Sequence, residues 1–245
     1  MKLDILAFGV HPDDVELSCA GVLLVEQKNG KKTGIIDLTE GELGTRGSAE
    51  TRQKESAEAA KILGIGIREN LGMADGFFQN DEAHQRKVIT AIRTYQPDII
   101  LCNAPEDRHP DHGRSSKMVA DAAFLSGLMK IETAFKDSVQ QAWRPKYVLQ
   151  YIQDRFLKPD FVVDITDVFD QKIEAIRAYR SQFHAEDNNE ANEPQTYIST
   201  PDFLDSVIYR HKWFGKMIGV KYAEGFISEK MIGLKNFDAI IKENT

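Results

Sequence analysis

Two apolar runs in this chain each empty into a tight cluster of ionisable residues, and that pairing constrains the fold more than any other feature. Residues 3–10 lead straight into His11-Pro12-Asp13-Asp14-Val15-Glu16. Residues 99–103 lead into Glu106-Asp107-Arg108-His109-Pro110-Asp111-His112. Short, nearly continuous apolar runs read as strands buried on both faces, as in a parallel sheet. Charged groups directly after a buried strand are costly to keep unless a ligand or metal needs them. The two strand ends are therefore expected to meet and hold one metal ion between them.

The order of elements agrees with that expectation. Residues 19–29 read as a helix closed by Asn29-Gly30, and Thr33–Thr39 as a second strand that empties into a glycine-rich loop, residues 40–47. Ser48 caps a helix over residues 49–63, residues 67–71 form a short strand, and Asp81 caps a helix over Glu82–Tyr95. A helix from His112 to about Met129 follows the second cluster. Beyond it come strands at residues 146–153 and 161–165, and a helix from Thr166 or Asp167 to near Phe183. A polar loop, residues 184–194, a helix at residues 201–217 and an extended segment, residues 222–230, complete the chain. Alternating strands and helices define an α/β, Rossmann-like architecture, with a mostly parallel sheet, helices on both faces and the metal site at the C-terminal ends of the strands. No repeat or linker divides residues 1–245, so one domain is expected.

Composition narrows the function by exclusion. The formal net charge is −7 and no block of Lys or Arg exists, which argues against nucleic acid or an anionic membrane as the main partner. No stretch approaches the ~20 apolar residues of a membrane helix. Met1-Lys2-Leu3-Asp4 offers no small-residue cleavage site, so no signal peptide is expected. Cys19 and Cys102 are the two cysteines, and neither has a CxxC neighbour. That argues for a reducing, cytoplasmic setting and against a disulfide scaffold or a thiolate zinc site.

The chemistry follows from the donors. The first cluster offers His11, Asp13 and Asp14; the second offers His109, Asp111 and His112. Imidazole and carboxylate donors suit zinc, and three protein ligands with one open position mark a catalytic site. Iron(II), cobalt or manganese can use the same set. The surplus groups are those hydrolysis needs: a carboxylate as general base and an imidazole near the developing oxyanion. Spacing does not say which aspartate plays which part. Either turn alone could be structural, since Asp and Pro both favour helix starts. Glu16 suits a helix N-terminus at least as well as a catalytic role.

The paired motifs, A-x-HPDD-x-E and HPDH, resemble those of the PIG-L/LmbE-like zinc-dependent de-N-acetylases. The resemblance extends over Asp37-Leu38-Thr39 and its loop, Thr51-Arg52, Ala178-Tyr179-Arg180-Ser181-Gln182-Phe183 and Tyr222-Ala223-Glu224-Gly225-Phe226. It is nearest to the bacillithiol-pathway branch, which removes acetate from N-acetylglucosaminyl malate. By position, it implies His11, Asp14 and His112 as metal ligands and Asp13 as general base. It implies His109 as an imidazolium near the oxyanion, oriented by Asp111, and Arg144 as the partner of an active-site carboxylate. Arg52 and Arg108 become contacts for the substrate, as Arg binds carboxylates bidentately. Where some relatives carry an oxyanion-holding tyrosine, this chain has Phe203, with Tyr197 out of register. The implied partners are a small amino-sugar substrate and further copies of the chain, as a trimer or hexamer.

Rival readings keep the metal and change the substrate, to a thiol S-conjugate amide or a chitooligosaccharide. Another drops turnover and leaves a metal-holding binding protein. His84 and His211 are expected on helices away from the site, and His184 on the polar loop.

Overall fold

A computed structural model describes residues 1–183 and 194–238. The strands are β1 (Ile5–Gly9), β2 (Thr33–Thr39), β3 (Arg68–Met73), β4 (Ile99–Cys102), β5 (Ala134–Phe135), β6 (Ser138–Val139), β7 (Tyr147–Tyr151), β8 (Phe161–Asp164) and β9 (Ala223–Ser228). The helices are α1 (Asp14–Ser18), α2 (Ala20–Lys28), α3 (Ala49–Ile62), α4 (Glu82–Tyr95), α5 (Pro110–Leu125), α6 (Phe169–Arg177) and α7 (Pro201–Ile218). Seven strands form one sheet in the order β3-β2-β1-β4-β7-β9-β8. Its pairs are parallel as far as β7, and β9 runs against both of its neighbours. The mostly parallel α/β sheet expected from the alternation is present.

The sequence of β1 shows why it sits at the centre. Ile5 and Ala7 point into one core, beneath α2, α3 and α6, while Leu6 and Phe8 point into the other, beneath α4 and α5. Both faces are covered, so every residue of β1 and β2 is buried. From β1 the chain moves outward through β2 to β3, then returns to place β4 on the other side of β1. That reversal opens a crevice beyond the carboxyl ends of β1 and β4, where ligands bind in such sheets. Ile5, Leu6 and Ala7 pair in register with Ile99, Ile100 and Leu101, so the turns after the two strands emerge side by side.

Three segments differ from the sequence reading. The helix read over residues 19–29 forms as α2, but a separate short helix precedes it: α1 ends at Ser18, Cys19 leaves helical geometry at φ −139°, and α2 starts at Ala20. The new N-terminus is capped from across the sheet, as Gly21 and Val22 donate their N–H groups to the Glu224 carboxylate at 2.9 and 2.7 Å. Helix α6 stops at Arg177 rather than near Phe183, because the following backbone bonds to other elements: Ser181 N to Glu55 and Ser181 O to Arg46. A small hairpin, β5–β6, turns through Lys136 and Asp137, both at positive φ. Residues 184–193, and with them His184, lie outside the described residues. No helix among those described is long and apolar enough to cross a membrane.

Lys172 on α6 lies fully buried against Glu224, Nζ to Oε1 2.6 Å. A buried pair is hard to break from one side, since the survivor keeps its charge without a partner. Lys172→Met is expected to lower the stability to urea unfolding by about 3–5 kcal/mol, and Lys172→Met/Glu224→Gln to recover part of that loss.

Candidate active site

The turn after β1 is held by one carboxylate. Asp14 Oδ2 accepts the backbone N–H groups of Val10 and His11, each at 3.0 Å, and the Asn103 amide at 3.1 Å. Its Oδ1 accepts Gln153 Nε2 at 2.7 Å. To close this loop the preceding residue, Asp13, adopts φ 123°, a strained backbone for any side chain but glycine and a common mark of functional sites. The second turn is Pro110-led: His109 caps α5 and Asp111 and His112 occupy its first turn.

The two turns bring their imidazoles together. Donor atoms of His11, His109 and His112 lie within 4.8 Å of one another. Asp14 stands between two of them, Oδ1 3.3 Å from His112 Nε2 and Oδ2 3.7 Å from His11 Nδ1. Each of those two rings has its far nitrogen held by another carboxylate: Asp75 takes His11 Nε2 at 2.9 Å, and Asp107 takes His112 Nδ1 at 2.7 Å. Carboxylate–histidine pairs of this kind fix the tautomer of metal-ligating rings. His109 has no such partner among the described residues; its Nδ1 accepts the Asp111 backbone N–H at 3.3 Å.

The electrostatics fit a cation. Burial opposes charge on His112, yet Asp14 and Asp107 push it up to about 10. Burial would raise Asp14, yet His112 and His11 hold it well below the usual carboxylate range. The cluster thus draws positive charge to the gap between His11, Asp14 and His112, and a divalent ion could take the place of the shared proton there. Asp13 behaves differently. Burial raises it to about 7, against the pull of Arg52. A carboxyl poised there is suited to accept and return a proton near neutral pH.

These groups line a cavity of about 450 Å³. Arg52, on α3, enters it from one wall, with Nη2 on Gln182 Oε1 and a buried Nε that has no partner among the described residues. Gly41, at φ 66°, lies against the guanidinium, where a Cβ would strike Nη1. Arg108 lines another wall, its Nε on Asp154 Oδ2 at 3.0 Å and its guanidinium 4.6 Å over the Tyr197 ring. The Tyr197 hydroxyl donates to Asp154 Oδ1 at 3.1 Å, and Phe203 packs against Phe183 in the same wall.

Not every residue named from the sequence arrives here. Arg144 does not: its Nη2 bonds the Phe124 carbonyl at 2.8 Å and its guanidinium stacks on the Phe124 ring, so the expected carboxylate partner is replaced by a helix end. The Asp111 carboxylate binds Gly76 N and Arg114 Nη1, at 2.8 and 2.7 Å, and reaches His109 through its backbone N–H instead. Burial and the neighbouring rings also push His109 below the ordinary imidazole range, which favours the neutral form over the expected imidazolium. Glu16 is a buried partner of Arg68 (2.5 Å) and Tyr179 (3.0 Å). His84 pairs with Asp81, and His211 bonds Val207 O inside the core. Asp75, Gln153 and Gln182 went unassigned in the sequence because each acts across the fold on a residue far away in the chain, while Asp107 lies in the second cluster itself, five residues before the His112 it holds, where spacing alone does not mark its role.

The fold and the donor set define a metal-binding enzyme site at the switch point of an α/β sheet. Residues 6–123 match the PIG-L family, described as GlcNAc-PI de-N-acetylase, and the chain belongs to that family. It is 29% identical to the diacetylchitobiose deacetylase of Thermococcus kodakarensis, over 90% of this chain and 81% of the relative. It is 25% identical to a probable N-acetyl-alpha-D-glucosaminyl L-malate deacetylase 2 of Bacillus subtilis, over 87% of this chain and 99% of the relative. A solved conserved protein of Thermus thermophilus superposes with a TM-score of 0.83 at 34% identity, covering 95% of this chain and 98% of that one.

Removing an outer carboxylate leaves a ring free to rotate or change tautomer. Asp75→Asn and Asp107→Asn are each expected to weaken zinc binding about 10–100-fold, read by competition with a chelating dye.

Proposed function

We propose that the chain is a zinc-dependent hydrolase that removes the N-acetyl group from an N-acetylglucosaminyl conjugate, N-acetylglucosaminyl L-malate in particular. The observation that carries this reading is the buried Asp13 carboxyl next to Asp14, which stands between His11 and His112. Those three residues would hold the ion, and a bound divalent cation supplies an acidified water and a polarised carbonyl. Iron(II) or another divalent metal suits the same donors.

The protein's own groups divide the remaining work. Asp13 accepts a proton from the attacking water and later delivers it to the amine nitrogen as the C–N bond breaks and acetate leaves. His109, neutral with its proton on Nε2, donates to the acetamide oxygen as negative charge builds there. Its Nδ1 is kept as an acceptor by the Asp111 N–H, so Asp111 serves as a positioning residue through its backbone. Arg52 offers its unpartnered Nε, and Arg108 its terminal nitrogens, to the part of the substrate that does not react. The Tyr197 hydroxyl is spent on Asp154, so among the protein's own groups the oxyanion falls to His109. The resemblance adds a homo-oligomer, trimer or hexamer, to this reading.

The malate conjugate is supported by the Bacillus relative and by the arginines of the cavity. A second reading, a neutral chitobiose-type substrate, is favoured by the Thermococcus relative. Amine release from N-acetylglucosaminyl malate, beside N-acetylglucosamine and diacetylchitobiose, separates them: metal-dependent release is expected to be strongest with the malate conjugate. Strongest release from diacetylchitobiose would transfer the function to the second reading. No release from any of them, with metal bound, would leave a binding protein.

Two variants test the assignment of parts. Asp13→Ala is expected to keep its metal and lose about 10²–10⁴-fold in kcat. His112→Ala is expected to lose metal and turnover together. Full activity in Asp13→Ala would rule it out as the general base.

The pH dependence has a definite sign. Asp13 acts when deprotonated, so kcat/KM rises with pH through its pKa. A bound cation stabilises the carboxylate, which places that acid limb at or below the pH of about 7 set by the protein alone. Arg52 pulls the same group down. Arg52→Gln is therefore expected to move the acid limb to higher pH, and a shift to lower pH would contradict the pairing.

A further inference from the structure

Arg210, on α7, brings a guanidinium to the wall of the cavity. Its hydrogen bond among the described residues runs from Nη2 to the Leu17 carbonyl, 3.1 Å. That carbonyl does not depend on it, since Lys172 Nζ donates to the same oxygen at 3.2 Å. Burial pushes Arg210 down to about 10, so it remains charged at neutral pH.

The carboxylates that act most strongly on Arg210 are Asp154, Asp107 and Glu224. All three are committed elsewhere. Asp154 takes Arg108 on one oxygen and the Tyr197 hydroxyl on the other. Asp107 takes His112 on one oxygen and the N–H groups of Asp154 and Arg155 on the other. Glu224 takes Lys172, Gly21 and Val22. Arg108 and Asp154 cancel, which leaves the Arg210 charge uncompensated among the described residues on this side of the cavity. A half-buried cation without a counter-ion is costly, and the forked donors of Arg210, open to the cavity, match a planar oxyanion.

We propose that Arg210 is a specificity-determining residue that binds an oxyanion, carboxylate or phosphate, on the non-reacting end of the substrate. The inference rests on the deacetylase reading and adds a residue to it that no motif singles out. The anion would complete the charge balance of the wall that Arg108, Asp154 and Tyr197 build, and the neutral acetamide would remain at the metal cluster.

The test compares metal-loaded wild type, Arg210→Gln and Arg210→Lys on N-acetylglucosaminyl L-malate, N-acetylglucosamine 1-phosphate and methyl N-acetylglucosaminide. In Arg210→Gln, kcat/KM for the anionic substrates is expected to fall about tenfold or more relative to the neutral glycoside, with the loss in KM. Arg210→Lys should recover part of it, as it keeps the charge and loses the fork. The larger fall, between malate and phosphate, identifies the oxyanion. An unchanged ratio would overturn the proposal. So would an equal fall on the neutral glycoside, which would make Arg210 a prop for the fold. If wild type released amine from none of the three, the deacetylase reading would fail by itself. Calorimetry with N-acetylglucosamine 1-phosphate would then decide on Arg210: weaker binding in Arg210→Gln supports it, and equal or undetectable binding in both proteins overturns it.

Discussion

The structure depends on keeping one charged carboxylate, Asp14, out of water. Its side chain is almost fully buried, and an isolated charge in such a place would be untenable. The surroundings are arranged to make it tolerable. Val10 and His11 give backbone N–H groups, Asn103 and Gln153 give amides, and His112 brings positive charge. These donors come from the ends of β1, β4 and β7, three strands adjacent in the sheet. The same contacts that satisfy Asp14 therefore fix the turn after β1, the start of α5 and the gap between them. Asp13 is carried into its strained position by that closure, which is how a proton acceptor comes to lie beside the metal-ligand candidates.

A second set of buried charges sets the cavity's far wall. The break at Cys19 gives α1 a free carbonyl end and α2 a free N–H end. Glu224, from β9, satisfies the N–H end, and Lys172 neutralises Glu224 while reaching back to Leu17 O. Arg210 reaches the same carbonyl from α7. The late elements of the chain are tied in this way to the first turn after β1, although β9 enters the sheet in the opposite direction. On the other side, Arg46, Arg52, Ser181 and Gln182 lash the glycine-rich loop to the segment after α6. That explains why residues 178–183 are not helix: their polar groups are used on the loop that borders the cavity. The buried cysteines take no part, and burial pushes the Cys102 thiol up to about 12, far from a reactive thiolate.

Much of this was legible in the chain because it is local. The apolar runs named β1, β2 and β4, and the caps at Ser48 and Asp81 accept the N–H groups that their positions imply. His11, Asp14, His109 and His112 converge because the two motifs follow adjacent strands. What escaped the sequence is what depends on distant partners. The capping of α2 by Glu224 spans most of the chain, so the separate short helix α1 and its break from α2 at Cys19 had no local signal. Asp75 looks like an ordinary loop acid until the fold places it behind His11. Arg144 carried a family expectation but sits at a helix end, stacked on Phe124. Arg210 had no motif at all, and its interest lies in the carboxylate partner it lacks among the described residues.

Anomalous diffraction from crystals of the zinc-loaded protein tests the central claim most directly, with wild type and Asp13→Ala compared. One strong peak bounded by His11, Asp14 and His112 is expected in both proteins, with Asp13 beside it in wild type and outside the ligand set. A peak held by Asp13, or one lost on its removal, would contradict the division between ligands and base on which the proposed mechanism stands.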